Sequence, residues 1–294
     1  MVVRIIDKKL LRHRLRRAHA AGDLRATFLL DRVVDDIVDR LATVERTFSV
    51  AIAHGGQTRG LLDSLIASGK VTDAFRLEHT AAALAGSDSL GVVGDEEGLP
   101  LREHSIDLFV STLALQWTND VPGALAQIRN ALRPDGLFLA ALIGGQTLVE
   151  LREALSAAES EVRGGASPRV IPTADVSDLG ALLQRAGFAL PVVDRDLVTV
   201  RYATALDLFR ELKSMGSSNA LSDRDRRPAS RHLLQRAAEI YAERFSEPDL
   251  RVRATFEILS LSGWAPHESQ QQPARRGSAQ ISLAAILERE SDKH

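Results

Sequence analysis

Residues able to bind or react gather in four short segments, each directly after an apolar run. Ala53-His54-Gly55-Gly56-Gln57-Thr58-Arg59-Gly60 follows the first run. Its glycines would let the backbone approach a ligand, and the N-terminus of a following helix would favour negative charge there. A plain tight turn would use the same residues. Glu78 follows the second run, where a carboxylate can accept hydrogen bonds from ribose hydroxyls or simply be solvated. The third segment is Gly94-Asp95-Glu96-Glu97-Gly98-Leu99-Pro100-Leu101. An aspartate there can accept from an adenine amino group, although three successive acids also suit a solvated loop. The fourth runs Ser111-Thr112-Leu113-Ala114-Leu115-Gln116-Trp117. Gln116 can donate and accept, and Trp117 joins an apolar body to one donor nitrogen; both also suit packing at a pocket rim. Together the four segments fit an adenosine-containing ligand.

Other chemistries are disfavoured. No Gly-Lys-Ser/Thr follows the glycines, which argues against ATP hydrolysis. No Gly-x-Ser-x-Gly elbow occurs, which argues against an α/β-hydrolase. Neither His-Glu-x-x-His nor a paired histidine and carboxylate cluster stands out, so no metal site is expected. The chain has no cysteine, which excludes disulfides, thiolate metal ligands and cysteine nucleophiles. Thirty-seven basic residues face 39 acidic ones, a net charge of −2, and such a balance gives no footprint for nucleic acid.

The elements that must position these segments can be read from periodicity. Leu29, Leu30, Val33, Val34, Ile37, Val38 and Leu41 recur at helical spacing and predict a helix over 27–45. Residues 48–53, 71–77, 90–93, 106–112 and 137–143 read as strands. Helices are expected around 61–66 and 121–132, with Pro134-Asp135-Gly136 as a turn. Strands alternating with helices imply βαβ units and a doubly wound α/β fold whose ligands bind beyond the carboxyl ends of the strands. After residue 146, helices are expected over 148–162, around 179–183, and over 204–214 and 229–245. Separate β-like runs lie at 188–193 and 197–202, with a late strand at 254–261. Residues 1–46 read as an N-terminal helical segment and 47–146 as the ligand-binding core. Residues 147–294 complete the sheet with a helical insertion and a polar C-terminal extension. The stretch from Trp264 to Ser278 is a candidate lid over the site.

The motifs Asp-Glu-Glu-Gly-Leu-Pro-Leu from Asp95, Ile-Asp-Leu-Phe-Val-Ser-Thr from Ile106 and Leu-Ala-Leu-Gln-Trp-Thr-Asn-Asp from Leu113 resemble class I S-adenosylmethionine (SAM)-dependent methyltransferases. The Gln-Trp pair is also similar to the malonyl carrier-protein methyltransferases of biotin synthesis. A likeness over almost the whole chain is to the methyltransferase-like assembly factors of respiratory complex I. It is carried by Gly-Gly-Gln-Thr-Leu-Val-Glu-Leu-Arg from Gly144, Ala-Glu-Ser-Glu-Val-Arg-Gly-Gly-Ala-Ser-Pro-Arg from Ala158, Met-Gly-Ser-Ser-Asn from Met215 and Gly-Trp-Ala-Pro-His-Glu-Ser-Gln from Gly263. The resemblance implies a Rossmann-like, seven-stranded, mostly parallel sheet with helices on both faces and the last strands antiparallel. It implies one SAM site built from Ala53, Gly55, Gly56, Glu78, Asp95, Glu96, Ser111 and Leu113, with His54, Gln116 and Trp117 as candidates to touch an acceptor. The glycine loop departs from the family form. Ala53 stands at the usual acid, and Gln57 and Arg59 stand where glycines are usual, so Arg59 would either crowd the helix entrance or meet the cofactor carboxylate.

The functions this implies are SAM-dependent modification of a complex I subunit, arginine hydroxylation, or a non-catalytic assembly chaperone. The longest apolar run, Leu137 to Ile143, is far short of the roughly 20 residues that span a bilayer. A bacterial cytoplasmic location is the expectation. The basic stretch Arg4 to Arg17 offers peripheral contact with acidic lipid at the inner membrane.

Overall fold

Strands with almost no polar face fix the architecture. In β4 (Ile106–Thr112) every residue but Asp107 is buried, and in β5 (Leu132–Ile143) the stretch from Gly136 to Leu142 is buried throughout. Such strands need cover on both sides. The computed structural model of the protein describes residues 4–22, 27–55, 58–85, 90–173 and 175–271. Around β4 and β5 it arranges β1 (Phe48–His54), β2 (Val71–Glu78), β3 (Gly91–Val93), β6 (Ala189–Tyr202) and β7 (Val252–Trp264). The seven strands form one sheet in the order β3-β2-β1-β4-β5-β7-β6. β1 to β5 are parallel, and β7 runs antiparallel between β5 and β6. The chain reverses its direction of winding between β1 and β4, which opens a crevice at their carboxyl ends.

Helices cover both faces. On one side α2 (Phe28–Ala42) buries Leu29, Val33, Val34, Ile37 and Leu41. It is joined there by α3 (Gly60–Ala67), α6 (Val149–Arg163), α8 (Ala205–Ser214) and α9 (Arg231–Phe245). On the other, α5 (Val121–Ala131) and α7 (Val176–Arg185) press Leu125, Ile128, Leu179 and Leu183 onto Phe109, Phe138 and Phe188. Polar side chains begin several of these helices by satisfying free backbone donors. Asp120 accepts from the Gly123 N–H, Ser230 from Leu233, and Thr204 and Asp207 form a reciprocal capping box.

A third, smaller cluster joins distant parts of the chain: Ile6 and Leu11, Trp117, Ile171, and Ala220 with Leu221. It docks α1 (Lys8–Ala21), the basic N-terminal helix, across the carboxyl end of the sheet. Backbone bonds tie the segment down on either side: Asp7 N–H to the Ala220 carbonyl and Ser222 N–H to that of Ile5, each 2.8 Å. Asn119 clamps the Ile6 backbone from a third direction, accepting at 2.7 Å and donating at 3.3 Å.

Three expectations are corrected. Pro134-Asp135-Gly136 is no turn between elements but a bulge inside β5. The register steps from Ile106↔Leu132 to Leu108↔Leu137, and Asp135 takes φ +64° with Arg46 donating to its carbonyl at 2.7 Å. The two β-like runs near 190 and 200 are one strand, β6, whose polar middle is tolerated because it lies at the sheet edge. The candidate lid is at the wrong end. Trp264 pairs with Leu137, and Gln270 donates to Asp135 at 2.9 Å, so residues 264–271 lie by the amino end of β5; residues 272–278 are outside the described set. Among the described residues no helix is long and apolar enough to cross a membrane.

Candidate functional site

The crevice at the carboxyl ends of β1, β2 and β4 leads into a cavity of about 300 Å³. Of the residues singled out by sequence, Gly55, Glu78, Leu113, Gln116 and Trp117 line it. Gly55 ends β1 with φ +83°, a conformation that glycine adopts without steric cost. Leu113 takes φ +47° as the chain leaves β4, so that its side chain turns into the cavity.

Glu78, at the end of β2, is buried and accepts from Arg76 Nη2 at 2.7 Å. Burial pushes its carboxyl up to about 7, against the pull of the Arg76 guanidinium. Arg76 is itself buried and donates to the Ala83 carbonyl at 2.9 Å. Gln116 donates to the Leu113 carbonyl at 2.6 Å, while its Oε1 is buried without a partner among the described residues. Thr80 Oγ1, Thr112 Oγ1 and His19 Nε2 share that condition and also come from cavity-lining residues. Unpaired buried polar atoms are costly, and these four belong to residues that line the cavity.

The other candidates stand apart from this lining. Ala53 and Ser111 are buried behind it, and Gly56 lies outside the described residues. Arg59 neither lines the cavity nor faces it as a counter-ion; it pairs with Asp63 at 3.1 Å on the first turn of α3. Asp95 and Glu96, expected near an adenine, are also absent from the lining and are engaged by α1. Lys8 bonds Glu96 and lies 3.3 Å from both Asp95 and Glu97, and Arg12 reaches Asp95 at 2.6 Å. Lys8 and Arg12 of the basic N-terminal helix are thus paired with the acidic loop it docks on. Burial opposes charge on both acids, yet the Glu97 N–H, then Lys8 and Arg12, hold Asp95 below the usual carboxylate range, and His79, His54 and Lys8 hold Glu96 below it.

His54 is fully buried. Its Nδ1 lies 3.0 Å from Ser111 Oγ, and burial holds its pKa at about 4, so the ring is neutral near pH 7. Its Nε2 faces Glu96 Oε2 at 3.8 Å, and His79 Nε2 faces the same oxygen at 3.6 Å. The sequence reading found no paired histidine and carboxylate cluster. The fold assembles one because its members end or follow three different strands.

Sequence reasoning from the four loops missed most of the cavity wall. Leu15 and His19 come from α1, Arg169, Val170 and Ile171 from the loop after α6, and Met215, Ser217, Ser218 and Asn219 from the segment after α8. The signal was present in the family-like motifs, since Ala-Ser-Pro-Arg ends at Arg169 and Met-Gly-Ser-Ser-Asn spans 215–219.

Glu159 holds the first of these loops. Its buried carboxylate accepts from Arg169 at 2.5 Å and 3.2 Å and from the Ser167 N–H at 2.8 Å. Burial works to raise its pKa, but the Arg169 and Ser167 hydrogen bonds outweigh it and the carboxyl titrates below its ordinary value. A lowered folded-state pKa gives stability that is full above the unfolded value and is lost as pH falls through the folded one. Glu159→Gln should therefore cost about 1–3 kcal/mol at neutral pH and flatten the acid limb below about pH 4.5. Urea unfolding at neutral and acidic pH checks both; equal losses at the two pH values would refute the assignment.

A sheet of this order with a cavity at the switch between β1 and β4 defines the class I methyltransferase fold. A family model described as a methyltransferase domain matches residues 56–140. The solved structure of YcgJ from Bacillus subtilis superposes with a TM-score of 0.53 at 13% identity, covering 80% of this chain and 98% of that one, a likeness of fold alone. The arginine-hydroxylase NDUFAF5, mitochondrial, of Danio rerio is 40% identical over 269 residues, 88% of this chain and 82% of the relative. The malonyl-[acyl-carrier protein] O-methyltransferase of Laribacter hongkongensis is 32% identical over 277 residues, 88% of this chain and 90% of the relative. The chain belongs to the methyltransferase-fold family that contains the NDUFAF5 arginine-hydroxylases.

Proposed function

We propose that this protein holds SAM in the cavity and modifies an arginine side chain of a respiratory complex I subunit during assembly of that complex. The arginine target is supported by the 40% identity to an arginine-hydroxylase across most of both chains. The complex I subunit rests on the assembly-factor resemblance of the C-terminal motifs. The nucleoside is supported by Glu78, which lines the cavity at the end of β2. In this reading Glu78 takes the ribose hydroxyls, Gly55 and Leu113 let the ligand approach the backbone, and Gln116 and Trp117 border the acceptor. The protein's share of the chemistry is alignment and exclusion of water.

Asp95 and Glu96 have a different part, holding the N-terminal helix over the site. Action in the cytoplasm fits this reading, with the exposed Lys9, Arg16 and Arg17 of α1 giving reversible contact with an acidic membrane surface.

The test is mass spectrometry of complex I subunits from cells with and without the gene. An arginine that gains the mass of one oxygen only when the gene is present is the expected result, that oxygen coming from dioxygen while the second oxygen atom leaves as water with two electrons from an external reductant. A gain of one methylene instead would make methyl transfer the reaction. No modified arginine, with assembly still dependent on the protein, would replace the enzyme by the chaperone reading, which the altered glycine loop favours.

A further inference from the structure

His54, His79 and Glu96 form a group with no assigned part in holding a nucleoside. One ligating atom from each, His54 Nε2, His79 Nε2 and Glu96 Oε2, lies within 4.8 Å of the other two. All three side chains are at least nine-tenths buried. The two histidine–glutamate spans, 3.8 and 3.6 Å, are too long for hydrogen bonds. His54 Nε2 and Glu96 Oε2 are both buried with no hydrogen-bond partner among the described residues. We propose that His54, His79 and Glu96 bind a divalent first-row transition-metal ion.

The chemistry of the surroundings favours a cation. Ser111 Oγ can accept from His54 Nδ1–H at 3.0 Å, which leaves the Nε2 lone pair pointing into the group; such outer partners commonly orient metal-bound histidines. Lys8 and Thr118 occupy the other oxygen of Glu96, Oε1, so the carboxylate is fixed in place with Oε2 turned to the histidines. The permanent charges nearby are Lys8 and Arg12 against Asp95, Glu96 and Glu97, which leaves one negative charge for an ion to offset. With metal–ligand bonds of about 2.0–2.2 Å, neighbouring donors sit about 3.0–3.5 Å apart, and both measured spans are within about 1 Å of that. Two histidines and one carboxylate leave coordination positions open, a set suited to Fe(II) or Zn(II). His79 also lines the cavity, so the ion would sit at its wall.

The test needs no nucleoside, so its outcome is separate from that of the SAM reading. The full-length protein is stripped with a chelator and titrated with Co(II), followed by its visible spectrum and by equilibrium dialysis. One equivalent should bind with the bands of a nitrogen and oxygen site. His79→Ala and Glu96→Gln should each weaken binding by at least about ten-fold, while the exposed His232→Ala should not. Loss of fold in a variant is bypassed by proton NMR of the Co(II)-loaded wild-type protein, where two paramagnetically shifted imidazole N–H signals are expected. No saturable binding at millimolar Co(II), wild-type affinity in both ligand variants, or the absence of shifted imidazole signals would overturn the proposal.

Discussion

Glu78→Gln should weaken S-adenosylhomocysteine binding by about 10–100-fold, measured by calorimetric titration. A carboxylate that accepts from two ribose hydroxyls contributes hydrogen bonds of about 1.5–3 kcal/mol each relative to their loss, and the amide retains only part of that. Glutamine is preferred to alanine because Arg76 is buried against Glu78. Removing the acceptor altogether would strand a guanidinium, at a cost of several kcal/mol, and would confuse folding with binding. Arg76→Gln is the companion variant. It keeps the Glu78 side chain but removes the guanidinium that opposes the effect of burial on its carboxyl, so the affinity lost at neutral pH should recover as the pH is raised. Wild-type affinity in Glu78→Gln would remove the ribose role, and with it the main support for SAM in this cavity.

Gly55→Ala should be the most damaging glycine-to-alanine change among the described residues. A Cβ at this position would lie 2.6 Å from the Thr112 carbonyl oxygen and 2.7 Å from Ala114 Cβ, on a backbone with φ +83°. Neither neighbour is a flexible side-chain end, so β1 and β4 must separate where the cavity begins. The left-handed conformation costs about 1–2 kcal/mol for a non-glycine residue, and overpacking adds about 1–3 kcal/mol. Chemical unfolding should therefore show a loss of about 2–5 kcal/mol. Nucleoside binding should fail even in the fraction that folds. Gly22→Ala is the control, because φ is also positive there but no atom lies within 4 Å of the added Cβ. Equal losses at the two positions would attribute the effect to backbone conformation alone.

Much of the fold was legible because apolar periodicity is local. Ile106–Thr112 was readable to the residue, and α2, β1 and β2 within a few residues at their ends. The bulge at Asp135 was not, since Pro-Asp-Gly has the same local chemistry in a turn as in a strand that shifts register. The site was legible only in part. Gly55, Glu78, Leu113, Gln116 and Trp117 follow from the rule that strand ends hold ligands. The pairing of Lys8 with Glu96 could not be read, because a charge run signals solvation as readily as docking, and only the tertiary fold brings the two together. The same holds for the convergence of His54, His79 and Glu96. Metal-ligand patterns are recognisable when they recur on one helix or loop, and these three share neither.

The roof of the cavity has a consequence for biosynthesis. Its hydrophobic cluster joins Ile6 and Leu11 to Ala220 and Leu221, and an isolated bridge pairs Ile6 with Leu221. The strand that completes the sheet, β7, is inserted between β5 and β6 although it is the last to be made. On the ribosome, therefore, the first five strands can pair and the N-terminal helix can meet the acidic loop and Asn119, while its partners Ala220 and Leu221 are still missing and the edge of β5 stays bare. Exposed strand edges are where nascent chains aggregate. A stalled or truncated chain ending before residue 252 would carry the binding loops and present that open edge, but would lack Phe256 of the cavity wall, so competence to bind waits on the synthesis of β7.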